Sequence, residues 1–414
     1  MSLLAEEFRK AMSKSKDHSD KSEATGDILY PTGFLNFDFM NGYIATGLNP
    51  NTGKKYKYYN IGICDGSINL IIARSLGGKS TLCAQIAANI VRPFENGMIF
   101  EENVEGGMTI ERRMCLSKFS MEEMEKRYVV RNEGITIENF YKRVKAIRDL
   151  KMEKYDEFVY DTGHFDIYGN PIKKLVPTVV ILDSLAIISS EKVFEEKDLS
   201  GQMAQTAAAK AIAAALKGLT PACKEANIIL FMINHINQKV EINPMMHSKS
   251  QTIYLKNNET LPRGNAPIYL ASNVLRLDDA KKLKEDEAFG FSGTLTSIST
   301  VKSRTAKANQ STTMVFDQDN GFDAELSLFV MLKEMGKING AGVGLYLGDR
   351  NDLKFSQKNF KEKLHTNPEF AEVFNKVCFD TLGTTISKVT YNSETGSNAV
   401  NSLLEMANNT IIDE

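Results

Sequence analysis

The sequence predicts an α/β protein built on a mostly parallel central sheet, and three observations predict it. Short apolar segments alternate with segments of helical periodicity from about residue 30 to residue 330. Two of the apolar segments, Thr178-Val179-Val180-Ile181-Leu182 and Ile228-Ile229-Leu230-Phe231-Met232-Ile233, show no polar alternation. Strands buried on both faces read this way, and they belong to sheets covered by helices on both sides. The third observation is the short apolar strand Ser67–Ile72. It runs through a small-residue loop into a helix with Leu82, Ile86 and Ile90 at i, i+4 and i+8, which stops before Pro93.

Taken in chain order, the elements begin with Leu3 to Met12, where Leu4, Phe8 and Met12 fall at helical spacing. The polar run Ser13 to Ser22 reads as a flexible tether. Residues 1–29 are therefore expected to form a helical arm and linker, 30–330 the core, and 331–414 a small mixed cap with a mobile tail after about Ser393. Two hairpins are expected, turning at Asn51-Thr52-Gly53-Lys54 and at Tyr168-Gly169-Asn170-Pro171, between polar, aromatic-rich arms. No chemistry is assigned to them. The Ala-rich stretch Gln205 to Leu219 predicts a helix that ends before Pro221. In the cap, Gly344-Leu345-Tyr346 reads as a strand and Phe355 to Asn375 as helices.

Bulk properties narrow the class. A chain of 414 residues with 42% hydrophobic and 25% charged residues suits a soluble protein of two or three structural units. No apolar run reaches the roughly 18 residues of a membrane helix, and the first residues carry acids in place of a secretory core. The five scattered cysteines argue for reduced thiols and against a disulfide framework or zinc site. A cytoplasmic location and no membrane partner are expected. The net charge of −2 excludes a generally basic coat but leaves local nucleic-acid binding open.

The chemistry concentrates at strand ends. Gly77-Gly78-Lys79-Ser80-Thr81 lies between a buried strand and an amphipathic helix. Glycine amides and a helix N-terminus can close around a triphosphate. In such a loop Lys79 reaches phosphate oxygens and the Ser80 hydroxyl holds Mg²⁺. Ala73 stands where such loops usually carry their first glycine. Asp183 follows the Val179–Leu182 strand directly, where it could complete the Mg²⁺ shell or cap the next segment, a task Ser184 could share. Beyond Met98-Ile99-Phe100, three acids, Glu101, Glu102 and Glu105, compete to orient an attacking water. Asn234-His235 closes the third apolar strand, and His235 is either a polar sensor of the γ-phosphate or a structural histidine. Lys302 and Arg304 alternate after Thr294–Val301, so they share a face that is either phosphate-reaching or simply solvated. Between His235 and Leu275 a long segment mixes Lys239, Lys249, Lys256 and Arg263 with Tyr254 and a Gly264-Asn265 turn. Such a mixture suits single-stranded nucleic acid or a mobile surface loop.

In this order the pieces resemble the RecA-type recombinases, and among them the UvsX-like recombinases of large bacteriophages, over roughly residues 30–380. The resemblance is carried by Gly78-Lys79-Ser80-Thr81, Glu105-Gly106-Gly107-Met108-Thr109, Val179 to Asp183-Ser184 and Ile233-Asn234-His235. It continues through Gly264-Asn265-Ala266 with Tyr269 and Ala271-Ser272, and through Lys302-Ser303-Arg304-Thr305. It implies a RecA-like ATPase core that uses ATP and Mg²⁺. It implies that Glu105 activates water, that His235 senses the γ-phosphate, and that Lys302 and Arg304 reach a neighbouring subunit's nucleotide. Residues 237–267, with Lys239, Lys249, Lys256, Arg263, Gly264 and Asn265, would form the second DNA loop, and residues 198–205 the first. Leu3 to Met12 would pack on the next subunit. Arg112 stands where relatives often place an aromatic near the adenine, and it is carried over as a nucleotide contact. Asn103 replaces a frequent aspartate, and both hairpins look like insertions.

The implied function is an ATP-dependent recombinase that forms head-to-tail filaments on single-stranded DNA and exchanges strands with double-stranded DNA. Single-strand-binding and loader proteins would be its partners. A ring-forming replicative helicase and a nucleotide-regulated assembly protein without strand exchange are the alternatives.

Overall fold

The computed structural model describes residues 27–191, 202–238, 252–283 and 292–386. The expected arm at Leu3–Met12, its linker and the tail after Ser393 lie outside them. The strands, in chain order, are β1 (Leu29–Tyr30), β2 (Tyr43–Leu48), β3 (Lys55–Asn60), β4 (Ile63–Cys64), β5 (Ile68–Ala73), β6 (Met98–Asn103), β7 (Tyr128–Arg131), β8 (Val159–Phe165), β9 (Pro171–Leu175), β10 (Thr178–Asp183), β11 (Ile228–His235), β12 (Asn237–Gln238), β13 (Glu259–Thr260), β14 (Asn273–Leu283), β15 (Gly293–Lys302), β16 (Gln310–Asp317), β17 (Gly321–Asp323), β18 (Ile338–Asn339) and β19 (Tyr346–Leu347).

The fold is mixed α/β around a nine-stranded sheet of order β17-β16-β15-β14-β5-β11-β10-β6-β7. The six strands from β14 to β7 pair in parallel, and β15, β16 and β17 extend the sheet antiparallel. Every residue of β5 and β10 is buried, as two-sided apolar strands require. Their side chains divide by the two-residue period of a strand. Ile71, Val179, Ile181, Ile229, Phe231 and Ile233 join a core with Leu82, Ile86 and Ile90 of the Lys79–Val91 helix. Leu70, Ile72, Val180, Leu182, Leu230 and Met232 face the opposite side, against helices Ile137–Glu153 and Gln202–Ala226. Three layers result, as the alternating pattern predicts.

The Gln202–Ala226 helix does not end before Pro221. It runs through the proline to Ala226. Proline removes one amide donor from the ladder. Burial of Leu216, Leu219, Ala222, Cys223 and Ala226 outweighs that loss, and the Thr220 hydroxyl donates to the Leu216 carbonyl in the same turn at 2.9 Å. Both expected hairpins form, as β2–β3 and β8–β9. Residues after 323 build a third core around Phe329, Phe355, Phe360, Phe370 and Phe374. There the expected strand at 344–346 is the two-residue Tyr346–Leu347, paired with Ile338–Asn339, and the helices are Phe360–Thr366 and Pro368–Thr385. No helix among the described residues is long and apolar enough to cross a membrane. The five cysteines are free thiols.

One buried charge fixes where the helix layer meets the sheet. Lys151, at the end of the Ile137–Glu153 helix, donates to the Val176 carbonyl at 2.6 Å and to the Thr178 hydroxyl at 3.2 Å. Burial pushes its ammonium down to about 7, from an ordinary 10.5. Between those values the unfolded chain holds a proton that the folded chain has released. Unfolding then takes up a proton, and stability rises with pH. The contribution is smallest below pH 7 and grows toward pH 10.5. Urea unfolding is expected to show the wild type gaining about 1–2 kcal/mol more than Lys151→Met between pH 7 and 9. Equal gains would mean that Lys151 titrates normally in the fold.

Candidate functional site

Four strands of the parallel sheet end nearly level. Ala73 of β5 lies opposite His235 of β11, and Asp183 of β10 lies opposite Asn103 of β6. This carboxyl-terminal edge is where α/β folds place their ligands.

The 73–81 loop leaves β5 here. Ala73 is fully buried in extended backbone, and its carbonyl accepts from the Ile236 amide at 2.9 Å. Extended geometry tolerates a Cβ, so glycine is not needed at 73. It is needed at Gly78, where φ is +75° and a Cβ would meet the Phe322 ring at 3.1 Å. Leu76 crests the loop with its side chain in solvent. Lys79 opens the following helix and is buried. Its Nζ donates to the Arg74 carbonyl of its own loop at 2.9 Å and lies 3.5 Å from His235 Nδ1. Burial draws its pKa down, while Asp183 and Glu105 oppose the shift. Thr81 is half-buried in the first turn.

Ser80 donates to Asp183 Oδ2 at 2.5 Å. Among the described residues, the buried Asp183 Oδ1 has no hydrogen-bond partner. Burial pushes this carboxyl up to about 6. A hydroxyl and a half-satisfied carboxylate held together fit a small divalent cation, which prefers oxygen ligands and keeps its own waters.

The three competing glutamates separate by geometry. β6 runs to Asn103, three residues beyond the apolar Met98-Ile99-Phe100, so Glu101 and Glu102 point to opposite faces of the sheet. Glu101 is buried against Arg113 at 2.6 Å and accepts from the Tyr128 hydroxyl at 2.7 Å. Glu102 pairs with Arg143 at 2.5 Å. Glu105 lies past the strand end. The Val104 and Glu105 amides both donate to the Asp183 carbonyl, which ties this turn to β10. Glu105 Oε1 accepts from Ser184 Oγ at 2.7 Å and meets His235 Nε2 at 2.6 Å. Burial raises the Glu105 pKa, but the bonds from His235 and Ser184 outweigh it and hold the carboxyl below its ordinary value. Next to it Gly106 and Gly107 face open space. The arrangement combines a cation, a hydroxyl–carboxylate pair and an ionised carboxylate bound to histidine around one strand edge.

Ser184 is the contact the sequence reading assigned only to capping. Its signal was a small hydroxyl directly after a strand-terminal acid.

Other expected site residues lie elsewhere. Arg112 donates to the Gln318 and Asp319 carbonyls, fastening the turn that leads into β17, where the Phe322 ring would lie 3.1 Å from a Cβ at Gly78. Lys302 pairs in register with Val274, and Val274 with Leu70, so it belongs to the opposite edge of the sheet from Ala73. Its Nζ donates to the Ile268, Tyr269 and Ala271 carbonyls, each at 2.8 Å, at the end of the Ala266–Leu270 helix. Burial, with Arg304 adding repulsion, pushes it down to about 8. Arg304 donates to the Tyr269 carbonyl. Within one chain these two cations do not join the Lys79 group. Lys256 pairs with Asp278 at 3.3 Å. Arg263, at φ +64°, donates to the Ile187 carbonyl, Gly264 has φ +80°, and Asn265 precedes the 266–270 helix. Asn234 links this segment to the site by donating to the Pro262 carbonyl at 3.1 Å. Lys239 and Lys249 lie outside the described residues, as do residues 198–201.

No family model matches the chain, and no curated protein matches it.

The glutamate geometry makes a stability prediction. Glu101→Gln leaves the Arg113 charge buried and unbalanced and is expected to cost about 3 kcal/mol in urea unfolding. Glu105→Gln, whose side chain is 31% exposed, is expected to cost less than about 1 kcal/mol. Equal losses would show that Glu105 carries structure as Glu101 does.

Proposed function

We propose that the chain is an ATP-dependent, RecA-type DNA recombinase. It assembles head to tail on single-stranded DNA and promotes pairing and strand exchange with double-stranded DNA. The observation that carries the reading is the Ser80–Asp183 pair with its unpartnered Oδ1, set between Lys79 and the Glu105–Ser184–His235 group. Buried, half-satisfied polar groups beside a glycine loop and a helix N-terminus suit a triphosphate and its metal.

In this reading Lys79 exchanges the Arg74 carbonyl for a phosphate oxygen. Ser80 and Asp183 would hold Mg²⁺, which when bound would supply positive charge against the phosphates. Glu105 takes a proton from the attacking water as the new oxygen–phosphorus bond forms and the bond to the ADP oxygen breaks. Its depressed pKa keeps it ionised for that role. His235 holds Glu105 in place and, through Asn234 and Pro262, connects the site to the Arg263-Gly264-Asn265 segment. Lys302 and Arg304, at the opposite edge, would meet this site only on another copy of the chain. That placement supports a heterologous, filament-forming contact. Hydrolysis would then depend on assembly, and assembly on DNA.

ATP hydrolysis measured with and without single-stranded DNA tests the proposal. DNA is expected to stimulate the wild type, and Lys79→Ala to abolish turnover. Glu105→Gln is expected to slow turnover by about 100-fold or more while leaving ATP-dependent DNA binding intact. Equal rates with and without DNA, together with the absence of helical filaments in electron micrographs, would refute it. Closed rings would favour a helicase.

A further inference from the structure

The two hairpins that the nucleotide site leaves unused form one unit. Both leave the amino-terminal edge of the parallel sheet, since β3 leads through β4 into β5 and β9 leads into β10. The Leu48 amide donates to the Asp166 carbonyl at 2.9 Å. The Phe165 amide donates to the Tyr56 hydroxyl oxygen at 2.9 Å, across 109 positions of sequence. Tyr58 stacks on His164 with centroids 3.9 Å apart. Gly47 makes this approach possible, because a Cβ there would lie 2.5 Å from the Phe165 carbonyl oxygen. At the tips the chains come close as well: a Cβ at Gly169 would lie 3.5 Å from Leu48 and 3.7 Å from Pro50.

The outward side of the unit is cationic and aromatic. Residues 43–60 hold Lys54, Lys55, Lys57 and four tyrosines, with no Asp or Glu, in a chain of net charge −2. All three lysines are exposed, and among the described residues none forms an ion pair. The acids of the second hairpin do not balance them. Asp166 accepts from the Tyr168 and Asn170 amides and from the Asn170 side chain, and Asp161 faces Lys173 across the β8–β9 register. Lys55 and Lys57 share the face of β3 opposite to Tyr56 and Tyr58, spaced about 7 Å apart. Tyr59, half exposed and packed on Phe39, continues that row toward the body. Tyr168 is 75% exposed at the tip of the second hairpin, next to Gly169, which approaches Leu48 and Pro50 of the first.

Unbalanced cations in a row repel one another, and a tyrosine ring held in water gains nothing for the fold. One ligand class relieves both: a flexible polyanion that also carries flat rings. The geometry points to a single-stranded nucleic-acid site on the joined hairpins, with Lys54, Lys55 and Lys57 on the backbone phosphates and Tyr168 stacking on a base. Because it leaves the opposite end of the strands from Lys79, it takes a strand in the absence of nucleotide. It does not rest on the nucleotide reading.

Fluorescence anisotropy of a labelled oligodeoxythymidine with the full chain, without nucleotide, tests this. The triple variant Lys54→Glu, Lys55→Glu, Lys57→Glu is expected to bind at least about 10-fold more weakly. Its plot of log affinity against log salt should be flatter by about 2. Tyr168→Ala is expected to lose about 5-fold or more with an unchanged salt slope. Both should keep the wild-type thermal midpoint and whatever DNA-free ATP hydrolysis the wild type has. Wild-type affinity in both variants overturns the proposal. So does displacement of the oligonucleotide by polyglutamate at equal charge concentration, which would assign the patch to an acidic protein. Cross-links from a 5-bromodeoxyuridine oligonucleotide that map only outside residues 43–60 and 159–175 overturn it as well. A wild type that binds the strand here but hydrolyses no ATP would sink the nucleotide reading alone.

Discussion

The parallel hydrogen-bond register that joins β5, β11, β10 and β6 places Asp183 and His235 at the candidate site and fixes the strand ends from which Lys79 and Glu105 extend. His235 is level with Ala73 and Asp183 with Asn103 because the backbone ladders leave no freedom to slide. A slip of one residue in any of these strands would exchange its two buried faces, and both faces are packed. The cores on the two sides therefore enforce the register, and the register sets the site. Ser80 reaches Asp183, and His235 reaches Glu105, as consequences of apolar packing several residues away.

The same pleat sorts three neighbouring carboxylates into different environments. Glu101 and Glu102, adjacent in sequence, turn into opposite layers and each meets an arginine there. Glu105, beyond the pleat, meets a histidine and a hydroxyl in a partly solvated turn. The difference lies in what each finds when it arrives: a guanidinium satisfies a carboxylate fully, whereas Ser184 and His235 leave Glu105 with Oε2 uncommitted among the described residues.

Much of this was legible in the sequence, and what was not has physical reasons. Strands β5, β10 and β11 were readable because two-sided burial leaves an unbroken apolar run. β6 was read too short, since Glu101 and Glu102 look like solvent-facing acids until their arginines, 12 and 41 positions away, are known. β7 was missed because Tyr128–Arg131 offers too few residues for any period to show. Pro221 misled because a helix held by a buried stripe can absorb a lost amide. Within the site, strand-end position pointed to Lys79, Asp183 and His235 as neighbours. Local spacing could not reveal that Lys302 is tied to three carbonyls at the other edge, because that depends on how β15 pairs with β14.

The union of the two hairpins also orders the events of folding. Each hairpin closes through contacts near in sequence, and such contacts form early. Their junction, from Leu48 to Asp166 and from Tyr58 to His164, spans more than a hundred residues of intervening chain and must wait for β5 and β10 to bring their bases together. The stacked Tyr58–His164 rings are thus a late landmark, complete only once the sheet beneath them has closed.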